Sequence, residues 1–202
     1  LDNVVGKWTD IAADIRSHLV GDIICDKTRN SIDIVVHLAA LCTVPESFVY
    51  PYSYWQTNLM GTANILDWAV PTGPFRVKRF IFASSSAIYG NGDGLPISPY
   101  GASKQAAEHM CYDCAKQVGK RLSILRLFNV AGGADDGSMG DPNMSGTRLV
   151  PKVCAARGPV MVYGECKRDY VHVLDVVDAF CKAIDYAGDT TVFDIGLGES
   201  WS

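Results

Sequence analysis

The sequence has no apolar run long enough to cross a bilayer, and Leu1 opens no signal-peptide pattern, so no membrane span or secretory leader is expected. It has no excess of positive charge: 18 Lys and Arg stand against 22 Asp and Glu, a net charge of −4. That excludes the electrostatic footprint of a nucleic-acid or anionic-lipid binder. No internal repeat and no low-complexity tract is present, which excludes solenoids and disordered arrays. A paired disulfide framework is missing too. The seven cysteines (Cys25, Cys42, Cys111, Cys114, Cys154, Cys166, Cys181) are odd in number and scattered, as in a protein kept reduced, and the expected location is the cytoplasm.

What is present can bury a core. With 202 residues, 48% of them hydrophobic, the chain is large enough for one substantial core, or one core with a small annex. Three short apolar runs stand out: "DIVVHL" (Asp33 to Leu38), "RFIFA" (Arg79 to Ala83) and "LSILRLF" (Leu122 to Phe128). Their apolar residues are nearly continuous, as in strands covered on both faces. Between them, "YWQTNLMGTANILDWAV" and "YGASKQAAEHMCYDCAKQVG" carry apolar residues at helical spacing, the second with a stripe of Ala107, Cys111, Cys114 and Val118. Alternating strand and helix predicts a doubly wound parallel α/β sheet. After Asn129 the texture changes to a Gly-, Asp- and Ser-rich loop, followed by "RLVPKVCAAR", "VMVYG", a helical "LDVVDAFCKAIDYA" and a last strand "TVFDIG". This later part reads as a smaller lobe.

In open α/β sheets, ligands bind beyond the carboxyl ends of the strands. Those ends are "LAAL" (Leu38 to Leu41), "SSS" (Ser84 to Ser86) and Phe128–Asn129. Small residues allow close backbone approach, while serines and an asparagine supply donors and acceptors. A helix starting near Tyr100 places Lys104 one turn on, on the same inward face as Ala107 and Cys111. A lysine on an inward face demands a task or a partner.

With these residues in place, the chain resembles the extended short-chain dehydrogenase/reductases, and within them the NAD-dependent sugar-nucleotide epimerases of the UDP-glucose 4-epimerase type. Seven strings follow in the family's order: "VVHLAAL", "NLMGTANIL", "FASSSAIYG", "SPYGASK", "LRLFNVAG", "RDYVHVLDVVDAF" and "FDIGLGES". The resemblance implies a Rossmann-type doubly wound parallel sheet with a smaller, incomplete substrate-binding lobe. Residues 1–129 would form the NAD-binding domain, with 172–190 packing back on it, and 130–171 and 191–202 would be parts of the lobe. The family's Gly-rich phosphate-binding turn is not in the chain, and its lobe continues beyond "GLGES", so a longer protein is implied.

The resemblance also assigns roles. Tyr100 would be the base. Bringing a phenol from a pKa near 10 to neutrality takes about 3 units, or about 4 kcal/mol. A lysine ammonium about 4 Å away at an effective dielectric of about 20 would supply that much. Lys104 would also bind the nicotinamide ribose, and Ser85 would bind the sugar's 4-hydroxyl and relay its proton. Ser84 is assigned a cofactor contact, although it and Ser86 also read as turn residues. NAD would further be held by Asp2 and Asn3 at the adenosine ribose, Asp22 and Ile23 in an adenine-pocket turn, Leu38, Ala39 and Ala40 beside the pyrophosphate, and Asn58. Cys42 stands where the epimerases commonly have a lysine. Asn129 and Arg168 would hold the nucleotide diphosphate of a UDP-hexose.

The dehydratases of this fold carry an Asp-Glu pair after the catalytic serine. Here those positions are Ser86 and Ala87, which favours 4-epimerisation over dehydration. Another sugar-nucleotide oxidoreductase or dehydratase of the fold, or a non-catalytic NAD-sensing Rossmann protein, are the alternatives. No metal site is expected: Cys111-x-x-Cys114 reads as core thiols and His172 as structural. A homodimer through helices at 51–70 and 101–118 is expected by analogy.

Overall fold

The structure, a computed structural model, describes residues 9–28, 32–69, 77–118, 121–141, 148–161 and 167–199. Its centre is a four-stranded, fully parallel sheet in the order β1 (Ile34–His37), β2 (Arg79–Ser85), β3 (Arg121–Leu127), β6 (Thr191–Ile195). Helices connect the strands: α1 (Val20–Thr28) precedes β1, and α2 (Val44–Val49), α3 (Pro51–Tyr54) and α4 (Gly61–Ala69) lie between β1 and β2. The 20-residue α5 (Pro99–Val118) lies between β2 and β3. A second, two-stranded parallel sheet pairs β4 (Asn129–Ala131) with β5 (Tyr170–His172), and α6 (Leu149–Ala155) lies between those strands in sequence. The chain then returns through α7 (Val173–Asp185) to β6. The doubly wound parallel sheet expected from the sequence is the one observed.

Side-chain alternation along the strands explains the layering. Phe80 and Phe82 of β2, with Leu122 and Ile124 of β3, face one way and pack against α4 and α5 through Ile65, Leu66, Trp68, Ala107 and Cys111. Ile81 and Leu125 face the other way, against Ala179, Phe180 and Ala183 of α7. Only β2 and most of β3 are buried on both faces. At the edge of the described sheet, β1 leaves Ile34 and Val36 exposed. The buried stripe of α5 runs through Lys104, Ala107, Glu108, Cys111 and Ala115; Cys114 is only half-buried. Arg79 ties the two layers together from the start of β2, donating to Ser123 Oγ at 3.4 Å and to the Tyr186 carbonyl just beyond α7.

Three expectations are corrected here. "GDI" is not a turn: Asp22 and Ile23 lie in the first turn of α1, where an acidic side chain suits the helix N-terminus. Ser84 is not a turn residue: the β2 ladder continues through the serines, pairing Ser84 with Arg126 and Ser85 with Leu127. Residues 191–195 belong to the main sheet and not to the smaller lobe, because β6 hydrogen-bonds to β3 along its length. Asp2 and Asn3 lie outside the described residues. His172 is structural, as expected: it caps α7, its Nδ1 accepting from Leu174 N at 3.3 Å.

The last residue of β1 makes an internal bridge. His37 is 5% exposed, and its Nε2 is 2.8 Å from Thr62 Oγ1 on α4. Burial, with the nearby Lys104 charge, pushes its pKa down to about 4. Between pH 6.5 and about 4 the unfolded chain therefore binds a proton that the folded one does not, and stability falls as pH falls. A shift of that size is worth about 3 kcal/mol. Urea melts of His37→Gln between pH 7 and pH 4 should show that much less acid destabilisation; an unchanged pH slope would place the acid sensitivity elsewhere.

Candidate active site

The carboxyl ends of β1 and β2 and the start of α5 converge on one point. Ser85 closes β2 and caps a single tight helical turn, Ser86–Tyr89, its Oγ accepting from Ala87 N at 3.2 Å. Gly90 ends that turn at φ 57°, ψ −125°, a conformation suited to glycine. The first turn of α5 then approaches closely. A Cβ on Gly101 would stand 2.5 Å from the Ala87 carbonyl oxygen, so "YGASK" needs its glycine for helix and turn to touch. This contact brings the start of α5, and with it the Tyr100 phenol, 9% exposed, up to the turn that Ser85 caps.

Below this pair, the loop after β1 is clamped. Residues Trp55–Met60 form one wider, π-helical turn between α3 and α4, and this turn carries Asn58, which is 1% exposed. Asn58 Oδ1 accepts from Leu41 N at 2.8 Å, and its Nδ2 donates to the Leu41 carbonyl and to Ser103 Oγ, both at 3.0 Å. Ser103 Oγ in turn donates to the Tyr100 carbonyl at 2.8 Å. Leu38 is left 60% exposed, and the Leu38–Ala40 backbone lies along the strand ends. Tyr54 packs its ring edge-on to Tyr100 with centroids 6.2 Å apart. Its hydroxyl accepts from Thr43 N at 3.0 Å and sits 2.7 Å from the Thr43 carbonyl and 2.9 Å from Glu46 Oε2.

Lys104 is 4% exposed, one turn beyond Tyr100, with its Nζ 4.4 Å from the centre of the Phe82 ring. Loss of water pushes its pKa down to about 8, against the partial support of Cys111, Cys42 and Glu108. Burial also raises Tyr100 above its ordinary value of about 10; the Ser85 hydrogen bond and the Arg148 charge pull the other way. Lys104 is not among the charges that act on the phenol in the protein alone; Arg148 is the cation that lowers its pKa.

Arg148 is the residue the sequence did not disclose. It precedes α6 and donates to Cys42 Sγ at 3.2 Å and to Asp141 Oδ2 at 2.7 Å. Its contact with Cys42 spans 106 positions of chain, and no spacing rule links the two. Ser84 Oγ, at the end of β2, is buried and has no hydrogen-bond partner among the described residues. Asn129 opens β4, and Arg168 lies two residues before β5. Asn129 Nδ2 donates to the Asp169 carbonyl at 2.8 Å, and the neighbouring Arg168 is exposed. Asp22 and Ile23 stay on α1. The cysteines 111 and 114 remain free thiols, and no group of metal-ligating side chains occurs among the described residues.

The site taxes the fold. Between about pH 8 and 10.5 the unfolded chain holds a proton on Lys104 that the folded chain has lost, so its burial destabilises the protein most below pH 8. Lys104→Met should therefore raise stability at pH 7 by about 2–3 kcal/mol, with the gain fading toward pH 10.5. Urea denaturation at both pH values checks this, and a variant less stable at pH 7 would refute it.

Comparison with known proteins points one way. Residues 11–196 match the family described as the NAD dependent epimerase/dehydratase family. A UDP-glucose 4-epimerase of Halalkalibacterium halodurans is 31% identical over an alignment covering 100% of this chain and 68% of the relative. One of Lacticaseibacillus casei is 33% identical, covering 87% of this chain and 59% of the relative. Among solved structures, UDP-glucose 4-epimerase from Brucella ovis in complex with NAD superposes with a TM-score of 0.83 at 35% identity, over 97% of this chain and 66% of that one. The Bifidobacterium longum enzyme in complex with NAD+ and UDP gives 0.79 at 30% identity, over 94% and 63%. The chain thus spans roughly three fifths to two thirds of the length of these relatives.

Proposed function

The chain belongs to the NAD dependent epimerase/dehydratase family, and from that premise we propose that it is part of an NAD-dependent nucleotide-sugar 4-epimerase acting on a UDP-hexose of the UDP-glucose/UDP-galactose type. The observation that carries this reading is the close packing of the Tyr100 end of α5 against the turn that Ser85 caps, with the buried Lys104 one turn on.

The residues fit the cofactor. Ser84 offers a buried hydroxyl with no partner among the described residues, and the small side chains of Ala39 and Ala40, just before the Leu41 that Asn58 clamps, suit close approach of a flat group. Bound NAD would supply the acceptor and donor of hydride at the sugar's C4. The protein's part is proton handling. Ser85 orients the 4-hydroxyl, and Tyr100 takes its proton through the shared hydrogen bond and returns it when the sugar is reduced again. Lys104 would hold the nicotinamide ribose, and Asn58 fixes the loop beside it. Asp22 and Ile23, now on α1, and the undescribed Asp2 and Asn3 keep their proposed roles at the adenosine end. Asn129 on β4 and Arg168 just before β5 suit the diphosphate, Arg168 through its exposed fork. Arg148 adds a cation on the Cys42 side.

Dehydration is disfavoured because Ser86 and Ala87, beside Ser85, carry no carboxylate. A homodimer is supported by the apolar residues that α2, α3 and α5 leave exposed, among them Phe48, Tyr52 and Tyr112. No helix among the described residues is long and apolar enough to cross a membrane. The free thiols suit a reducing compartment, and the cytoplasm is the proposed location.

The full-length protein given UDP-galactose should form UDP-glucose with no lasting rise in NADH absorbance, because the same cofactor returns the hydride it took. Tyr100→Phe keeps the ring but removes the proton acceptor. It should lose about 100- to 10,000-fold in kcat while still binding UDP. Accumulation of NADH with product, or normal turnover by Tyr100→Phe, would overturn the reading.

A further inference from the structure

We propose that Arg126 is a positioning residue: its guanidinium joins the turn that follows Ser85 to the helix that carries Tyr100 and Lys104, and so fixes where the Ser85 hydroxyl stands relative to the Tyr100 phenol. The inference rests on the reading of Ser85 and Tyr100 as the proton-transfer pair.

The geometry begins in the sheet. On β3, Arg126 sits beside Ser84, one place before Leu127, the partner of Ser85. Its side chain reaches two elements at once. Arg126 Nε donates to Glu108 Oε1 at 2.8 Å and Nη2 to Oε2 at 3.0 Å, a two-pronged grip on a carboxylate that is 3% exposed. Glu108 stands on α5 one turn beyond Lys104. The remaining prong, Nη1, donates to the Tyr89 hydroxyl at 2.7 Å, and the guanidinium carbon lies 5.1 Å from the Tyr89 ring centre. Tyr89 ends the turn that Ser85 caps, and its hydroxyl donates to Asp194 Oδ1 on β6 at 2.6 Å. One planar cation therefore spans the catalytic helix and the catalytic turn, and Asp194 fixes the far side.

The β2 ladder holds the Ser85 backbone opposite Leu127, but its Oγ accepts from Ala87 N of the turn at 3.2 Å, so the hydroxyl's aim follows that turn. The turn beyond it ends at a glycine with positive φ, which holds no direction by itself. Tyr89, four residues after Ser85, is the anchor that sets the turn's orientation, and Arg126 ties that anchor to α5. A buried ion pair adds little net stability compared with well-packed apolar residues. A fork that holds three elements in register supplies geometry, and misplacing a reacting group by about 1 Å costs about 100-fold in rate.

The test is Tyr89→Phe in the full-length protein. It keeps the ring and its packing on Phe128 and removes both hydroxyl bonds. The expected result is a fall in kcat of about 10- to 100-fold with KM for UDP-galactose within about twofold, and Arg126→Lys, which keeps the charge without the fork, should act in the same direction. In a Ser85→Ala background, Tyr89→Phe should cause no further loss, since the group being positioned is gone. Equal losses in both backgrounds would show a general structural effect and overturn the proposal. A second readout needs no turnover: in protein labelled with 13C at the tyrosine Cζ, the Tyr100 signal, assigned with Tyr100→Phe, should move in Tyr89→Phe toward its position in Ser85→Ala. A stationary signal overturns the positioning role. A moving signal in a wild-type protein without epimerase activity would uphold it and refute the proposed function instead.

Discussion

Because Lys104 lies at 4% exposure beside the Phe82 ring, its ammonium persists only where neighbouring groups replace the water it has lost, and the surroundings are arranged by that demand. Cys111, Cys42 and Glu108 each support the charged form, yet burial still brings its pKa down to about 8. The same field reaches β1, where His37 is held neutral at near-neutral pH by burial and by the lysine together, and is bonded to Thr62. Glu108 closes the set, since its buried carboxylate would be untenable without the grip of Arg126.

The clamps around Tyr100 follow from a second constraint, that a loop passing over strand ends must have its backbone polar groups satisfied. Asn58 meets both groups of Leu41 and reaches Ser103, so loop, π-helical turn and α5 share one side chain. The wider turn at Trp55–Met60 is what carries Asn58 at that level. Gly101 does on the other side what Asn58 does on this one, letting α5 approach the Ala87 carbonyl without a collision.

Much of this was legible in the sequence, for physical reasons. β2 and β3 announce themselves because strands covered on both faces must be apolar at nearly every position, and Tyr100 and Lys104 because a polar pair on an inward helical face is conspicuous. What escaped was set by long-range contact. β4 and β5 are three residues each and meet through the pairing of Asn129–Ala131 with Tyr170–His172, which no local pattern encodes. The family resemblance implies a turn at Asp22 and Ile23, yet the residues that follow are helix-compatible and α1 begins at Val20. Arg148 and Cys42 meet across 106 positions of chain, and the partnership of Arg126 with Glu108 and Tyr89 exists only once sheet, turn and helix are assembled.

The site's weakness and its capacity to bind are one free energy seen from two sides. A buried hydroxyl without a partner, such as Ser84 Oγ, costs about 1–3 kcal/mol. A lysine displaced from 10.5 to about 8 costs about as much again. Both penalties fall on the face where the strand ends meet α5, while the opposite ends of the strands are closed by apolar packing and by Arg79. A ligand that offers Ser84 a hydrogen bond and Lys104 an acceptor removes those penalties in the folded state alone. By mass action, its binding then stabilises the fold, by more the further its concentration exceeds its Kd.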